Sequence, residues 1–386
     1  MSKSVGFIPL RKGSKGIPNK NRKKMVGRPL FCWVLQEAVR SRLDEVVVYT
    51  DDPWIRDFVQ THYGHYGKVV ISDRGADTAT DEASTESAML EYAQSVDHNF
   101  ETICLLQATS PMTTAGDINL ALAKKDEGFD AVLSVVRTHR FVWNEDGTPA
   151  NYDPHNRPRR QDFEGLLVEN GAIYVQSVAG LKAHQNRLGG KIGYVEMAAE
   201  TYHEIDDPQD WAMIEQQLIY RLRRNKEHGR IRYLVLDVDG VFTTGQVAYN
   251  SEGEWTKTFD MRDGMGLEVI REHGVEVIVM TSEDSELVKS RMKKLKIERV
   301  FSGAKDKYAL LKDLMEDGQM DYPQIAYIGD DVNDLANICA VGWSMAPNNA
   351  TQIVQSQADM VLTKASGQGA IREACEWIMK YNQRYE

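Results

Sequence analysis

The stretch Val5 to Asn21, VGFIPLRKGSKGIPNKN, limits what can be built around it. Val5 to Ile8 are apolar enough for a strand buried on both faces, and such strands belong to parallel sheets covered by helices. The strand then stops abruptly. Gly13 and Gly16 free the backbone for positive φ, while Arg11, Lys12, Lys15 and Lys20 place four cations in ten residues, with Ser14 and Asn21 in the same loop. Backbone N–H groups of such a loop close on an oxyanion while the side chains neutralise it, which outlines a nucleotide site. Neither the GxxxxGK[ST] nor the GxGxxG spacing is present, so an ATPase loop and a dinucleotide loop are excluded.

A solvated basic turn is the alternative, and the rest of the chain speaks against it. There are 57 acidic against 46 basic side chains, a net charge of -11, so cations clustered here serve a local purpose. The same balance excludes a general binder of nucleic acid or anionic membranes. No apolar run approaches the ~18 residues of a spanning helix, and Val5 to Leu10 is too short for a secretory core, which places the chain in the cytoplasm. Cys32, Cys104, Cys339 and Cys375 form no CxxC pair and read as small buried side chains. At 386 residues, two or three domains are expected.

After the loop, Pro29 to Arg40 predicts a helix and Glu45 to Thr50 a strand, a βαβ unit. Asp51 reads as the cap of a helix starting near Pro53. Thr102 to Leu106 and Ala131 to Val136 are further strands, and Pro208 to Arg224 a helix capped by Asp207. Arg157 to Asp162, RPRRQD, is a second basic cluster in a region too rich in Pro, Asn and Asp for regular structure. Glu204 and Asp206 sit at i and i+2, so an extended backbone points both carboxylates to one face, which suits an oxygen-loving Mg²⁺.

These motifs, in this order over residues 3 to 225, resemble those of the CMP-sugar synthetases, the cytidylyltransferases for sialic acid and related 3-deoxy-ulosonic acids. The resemblance implies that Arg74, Asp81 and Ser84 lie over the nucleotide with the Arg11 to Asn21 loop. It places Gln107 (LLQATSPM, with Ala108 for the family's proline), Arg159, Arg160, Gln161 and Asn170 of NGAIY around the sugar. The acidic pair here begins with Glu204, where the family has Asp. The implied reaction is attack of a sugar-acid anomeric hydroxyl on the α-phosphate of CTP, with Arg11, Lys15, Lys20 and Mg²⁺ neutralising charge.

Past Gly229 the chain restarts. Ile231 to Leu236 is an apolar strand that runs into Asp237-Val238-Asp239-Gly240, two carboxylates at a strand tip that are costly to bury without a cation. Val275 to Met280 ends in Thr281-Ser282, Lys307 or alternatively Lys305 opens a helix, and Ile325 to Ile328 leads into Asp330, Asp331 and Asp334. This series resembles the four motifs of the haloacid dehalogenase (HAD) superfamily. It implies Asp237 as nucleophile, Asp239 as acid and base, Thr281, Ser282 and Lys307 on the phosphate, and Mg²⁺ held among Asp237, Asp239, Asp330, Asp331 and Asp334.

Between Gly240 and Thr281 there is room for a hairpin, Val247 to Phe259, and one helix, but no cap domain. That is the arrangement of the ulosonate phosphatase branch, whose members are capless tetramers; Arg372 lies in a tail resembling the one that reaches a neighbour's site there. The eight-carbon KDO-phosphate enzymes of that branch carry Thr-Gly-Arg at the second motif and the nine-carbon ones a glutamate for the arginine, so Thr281-Ser282-Glu283, with Lys294 further along, resembles the enzymes of a nine-carbon 9-phosphate, of KDN or N-acetylneuraminate. The expected molecule is α/β: a nucleotide-diphospho-sugar-transferase-like domain over 1–228 and a capless HAD-like domain over 229–386. A homotetramer through the HAD domain, with dimer contacts in the synthetase domain, is expected. The competing readings are a HAD domain kept only for assembly, and a KDO-type enzyme.

Overall fold

The computed structural model describes residues 3–251, 253–316, 318 and 320–386. It divides into two units, one of 1–24 and 29–214, the other of 25–28 and 215–386.

The first unit is built on a seven-stranded sheet in the order Val69–Asp73, Glu45–Thr50, Ser4–Leu10, Thr102–Leu106, Leu166–Ser177, Ala131–Thr138, Ile192–Glu196. The first four strands are parallel. Leu166–Ser177 runs antiparallel to both its neighbours, and Ile192–Glu196 is parallel to Ala131–Thr138. Ser4–Leu10 is central, so both of its faces are covered, as its unbroken apolar run requires. Val5 and Phe7 pack with Tyr49, Leu105 and Tyr92 of the helix Thr85–Ser95. Leu30–Arg40 lies against Ser4–Leu10 and Glu45–Thr50, and Ala115–Asp126 against the antiparallel end.

A six-stranded, wholly parallel sheet organises the second unit, in the order Arg299–Phe301, Glu276–Met280, Tyr233–Leu236, Ile325–Ile328, Trp343–Ala346, Met360–Val361. Period-two alternation sorts its side chains into two cores. Leu234, Leu236, Val277 and Val279 meet the helices Met261–Glu272 and Ala370–Asn382 on one face, while Val235, Ile278 and Tyr327 meet Lys307–Glu316 and Leu335–Ala340 on the other. Fully burying a side chain of this size stabilises by roughly 1.5–3 kcal/mol, so the two faces dominate the unit's cohesion. Leu236 stands opposite Val279 and Ile328, and the residues that come after all three strands emerge together at one edge.

Several expected elements shift at their ends. The helix expected from Pro29 starts at Leu30, because Arg28–Pro29 pairs with Lys24–Met25 as a short ladder. Asp51 is not the cap of Pro53–Tyr63; Asp52 is, accepting from Trp54 N–H, while Asp51 accepts from the Lys12 N–H at 2.6 Å. Arg157 to Asp162 is not wholly irregular, since Arg160–Asp162 forms a 3₁₀ turn. The second unit takes in Glu215 onward, and within it Lys226 is held by the Ile338 carbonyl and the Ser344 hydroxyl, both at 3.1 Å, and by Asp359. Trp54 is 39% exposed and stacks on Phe58. All four cysteines are buried, and none is joined in a disulfide. No helix among the described residues is long and apolar enough to cross a membrane.

Candidate active sites

In the first unit the loop after Ser4–Leu10 is shaped by two glycines with different tasks. Gly13 takes φ +79°, and Gly16 lies so near the chain at Asp206 that a Cβ would stand 2.2 Å from the carbonyl oxygen. That approach brings Lys20 to the acidic pair. Its Nζ donates to the Ile205 carbonyl at 2.7 Å and stands 3.7 Å from Asp206 Oδ1. Burial lowers the Lys20 pKa, and the Asp206 charge opposes the shift; burial, then the Asp206 charge, raises that of Glu204. Glu204 lies over Gly171, where a Cβ would meet its carboxylate at 2.0 Å.

Arg11 ion-pairs with Asp81, and Lys15 approaches the same carboxylate at 3.2 Å; these hydrogen bonds hold Asp81 below its ordinary pKa. Asn21 Nδ2 donates to the Arg11 carbonyl at 3.3 Å. Arg74 Nε donates to the Thr78 carbonyl at 2.9 Å, and Ser84 caps the helix Thr85–Ser95. Gln107 is half-buried at the end of Thr102–Leu106, and Arg159, Arg160 and Gln161 are exposed. Asn170 is 1% exposed and engaged internally, with Ser134 Oγ donating to its Oδ1 at 2.6 Å and its Nδ2 donating to Thr201 Oγ1 at 3.1 Å.

The second unit gathers its charges at the sheet edge. Lys307, 1% exposed, sets Nζ 2.7 Å from Asp237 Oδ2 and 2.8 Å from Asp334 Oδ1. Asp334 also accepts from the Tyr327 hydroxyl at 2.6 Å and the Asp330 N–H at 3.1 Å. Asp237, Asp330 and Asp334 offer carboxylate oxygens all within 4.8 Å of one another. Like charges ~4 Å apart repel by roughly 4 kcal/mol at an effective dielectric near 20, and one lysine cannot neutralise three carboxylates. Burial and the Asp334 charge accordingly push Asp237 well up and Asp330 to about 7. Burial acts to lower Lys307, but the charges of Asp237 and Asp334 outweigh it and hold the lysine protonated. Asp330 Oδ1 is buried with no hydrogen-bond partner. An orphaned oxygen in an acidic cluster fits a hard divalent cation.

Around this centre, Thr281 is 1% exposed at the end of Glu276–Met280, and Ser282 Oγ accepts from Asn333 Nδ2 at 3.1 Å. Asp239 pairs with Lys257, whose Nζ lies 2.8 Å from Oδ1. Asp331 is exposed and accepts from the Val332 N–H at 2.7 Å, capping the turn Val332–Asp334. Glu283 pairs with Lys305 at 2.9 Å, which leaves the buried lysine role to Lys307. Lys294 ends the helix Glu286–Lys294 and Arg372 pairs with Glu376 at 2.6 Å.

Both units are similar in sequence to known proteins. The family model described as cytidylyltransferase matches residues 5–215, and that described as haloacid dehalogenase-like hydrolase matches 281–374. An N-acylneuraminate cytidylyltransferase of Oncorhynchus mykiss is 34% identical over 97% of this chain and 88% of its own. The chain belongs to the N-acylneuraminate cytidylyltransferase family. A 3-deoxy-D-manno-octulosonate 8-phosphate phosphatase of Haemophilus influenzae is 37% identical over 39% of this chain and 83% of its own length. A crystal structure of the corresponding phosphatase from Moraxella catarrhalis, in complex with magnesium ion, phosphate ion and KDO, is 32% identical over 44% of this chain and 94% of that one, with a TM-score of 0.39.

For a cytidylyltransferase-family chain, the motifs located the loop and the strand tips but missed the residues that hold them. Lys257 ion-pairs with both Asp239 and Glu254, and Glu254 accepts in turn from Ser285. Nothing local marks Lys257, on a chain segment just past the strand Gly253–Thr256, as facing a carboxylate eighteen residues upstream. Tyr327 was legible only as a strand residue, although an alternating strand ending in an acidic motif does aim one ring at it.

Proposed function

We propose that the chain acts in two steps on one nine-carbon sugar acid, removing a 9-phosphate in the second unit and transferring CMP from CTP to the free sugar in the first. It acts in the cytoplasm, on N-acetylneuraminate or KDN, as a homotetramer joined through the HAD unit and by dimer contacts of the synthetase unit. The observation that carries the reading is the intact set of Asp237, Lys307, Asp330 and Asp334 at one strand edge, in a chain of the N-acylneuraminate cytidylyltransferase family.

In the transfer step the anomeric hydroxyl of the sugar gives its proton to solvent as its oxygen attacks the α-phosphorus of CTP, and the bond to the bridging oxygen breaks with its electron pair leaving on pyrophosphate. Arg11, Lys15 and Lys20 neutralise the triphosphate, with Gly13, Ser14 and Asn21 shaping the loop and Arg74, Asp81 and Ser84 over the nucleotide. Gln107, Arg159, Arg160, Gln161 and Asn170 border the sugar; Asn170 does so by bracing the wall, its amide being bonded internally. Glu204 and Asp206 would hold Mg²⁺ there.

In the hydrolytic step an oxygen of Asp237 attacks phosphorus and the bond to the sugar oxygen breaks, with Asp239 protonating that oxygen. Water, deprotonated by Asp239, then cleaves the acyl phosphate and frees inorganic phosphate. Thr281, Ser282 and Lys307 hold the phosphoryl oxygens, while Glu283, Lys294 and Arg372 contact the sugar. Asp237, Asp330 and Asp334, with Asp239 and Asp331, would hold Mg²⁺, which would supply charge neutralisation at the phosphoryl group.

The test is incubation with Mg²⁺, CTP and either 9-phosphate, monitoring phosphate, pyrophosphate and CMP-sugar separately. Asp237→Asn is expected to lower phosphate release on the order of a thousandfold or more while leaving CMP transfer to the free sugar unchanged. Wild-type protein that activates only the free sugar and releases no phosphate would reject the hydrolytic step and favour a unit kept for assembly.

A further inference from the structure

Residues 25 to 28 bear on the phosphatase site, and the role they take there rests on the phosphatase reading of the second unit and extends it. They lie four residues beyond Asn21 in sequence, yet they belong to the second unit with 215–386. All four are buried. The Val26 N–H donates to Glu215 Oε1 at 2.9 Å. Gly27 has φ +82° and lies so close to the turn Val332–Asp334, which carries the last acidic motif, that a Cβ would stand 1.9 Å from the Val332 carbonyl oxygen. Arg28 is 2% exposed, with Nε and Nη2 each donating at 2.8 Å to the two carboxylate oxygens of Asp306. Its guanidinium also lies 4.8 Å from the centre of the Tyr308 ring.

Asp306 immediately precedes Lys307, and its Oδ1 accepts the Ala309 N–H at 3.1 Å, so it closes the first turn of the helix Lys307–Glu316. The position of that turn sets where Lys307 starts, and Lys307 must reach Asp237 and Asp334 at once. A planar guanidinium fork fixes a carboxylate in both distance and orientation, which a lysine ammonium cannot do. Arg28 also neutralises Asp306, so the charge of Lys307 is left to answer Asp237 and Asp334.

We infer that Arg28 is a positioning residue for the phosphatase: through Asp306 it sets Lys307, while Gly27 lets the same segment brace motif four at Val332. The hydrolase-like match covers 281–374 and leaves this segment out. Phosphate release by this chain therefore depends on a piece of sequence embedded in the cytidylyltransferase match.

The experiment compares full-length wild-type, Arg28→Lys, Arg28→Ala and Asp237→Asn proteins. Phosphate release is measured from whichever 9-phosphate the wild type hydrolyses, alongside CMP transfer and thermal melting. Arg28→Lys, which keeps the charge and loses the fork, is expected to lower kcat for phosphate release on the order of tenfold to a hundredfold. KM should stay within about twofold, and CMP transfer and the melting temperature should hold. Arg28→Ala should lose more, and if it does not fold, Arg28→Lys decides. A folded Arg28→Lys protein with wild-type kcat overturns the inference, as does an equal loss of both activities. Wild-type protein without Asp237-dependent phosphate release is a separate outcome, and it removes the phosphatase reading together with this one.

Discussion

Glycines at the two sites do different work, and their neighbours tell them apart. Gly240 takes φ +84°, and a Cβ there would stand 1.9 Å from Asp330 Oδ2, whereas Gly13 has φ +79° and open space around it. Gly240→Ala should cost about 1–3 kcal/mol and abolish phosphate release, since the carboxylate it displaces is one of the three clustered acids. Gly13→Ala should cost only about 1–2 kcal/mol, the penalty of the left-handed backbone, and its effect should fall on KM for CTP. Melting curves and steady-state kinetics of the two variants separate these expectations. Both glycines were legible as turn formers beside charged motifs. Asn170 was legible as part of NGAIY, but that its amide is bonded to Ser134 and Thr201 depends on segments far apart in sequence. Asn170→Ala should therefore destabilise by about 1–3 kcal/mol, because it leaves the Ser134 hydroxyl and the Thr201 groups without that partner.

At the scale of elements, the strands were read most faithfully and the caps least. Glu45–Thr50, Thr102–Leu106 and Ile325–Ile328 fall where their apolar runs end, since a buried strand has no other way to satisfy its backbone. Two adjacent aspartates before Pro53 offered no such discrimination. The structure gives the cap to Asp52, which is 3% exposed and also lies 3.2 Å from Arg22, and leaves Asp51 to the Lys12 N–H of the Arg11 to Asn21 loop. Asp52→Ala should lower the stability of the first unit by about 1 kcal/mol or somewhat more. Asp51→Ala should leave stability nearly unchanged and raise KM for CTP, because it frees the loop. Denaturant unfolding and CTP kinetics on both variants test the assignment, and reversed effects would return the cap to Asp51.

Across the whole chain, long-range ion pairs join segments that no local pattern connects. Glu86 pairs with Arg187, both side chains about one-fifth exposed, and the arginine hydrogen bond holds the glutamate below its ordinary pKa. A carboxylate whose folded pKa is depressed adds stability above its unfolded value of ~4.3, and loses that contribution as pH falls through the folded value. Glu86→Gln should thus be less stable than wild type by about 1 kcal/mol at pH 7, with the difference shrinking below about pH 4. Melting curves at pH 7 and pH 3.5 check the sign, and a difference that grows on acidification would reject it. The sequence by itself determined the two α/β units, the glycine- and lysine-rich loop after the first strand, and the order of four motifs, two acidic, one hydroxyl and one lysine. These come from short-range rules: apolar runs demand burial, glycines permit turns, and charges gather where strands end. Only the tertiary structure decided that residues 25–28 belong with the second unit, that Lys257 meets Asp239, and that Tyr327 and Lys307 share Asp334. Each of these is a meeting of groups distant in sequence or on opposite sides of a turn, fixed by how the sheets stack their helices and not by any residue's neighbours along the chain.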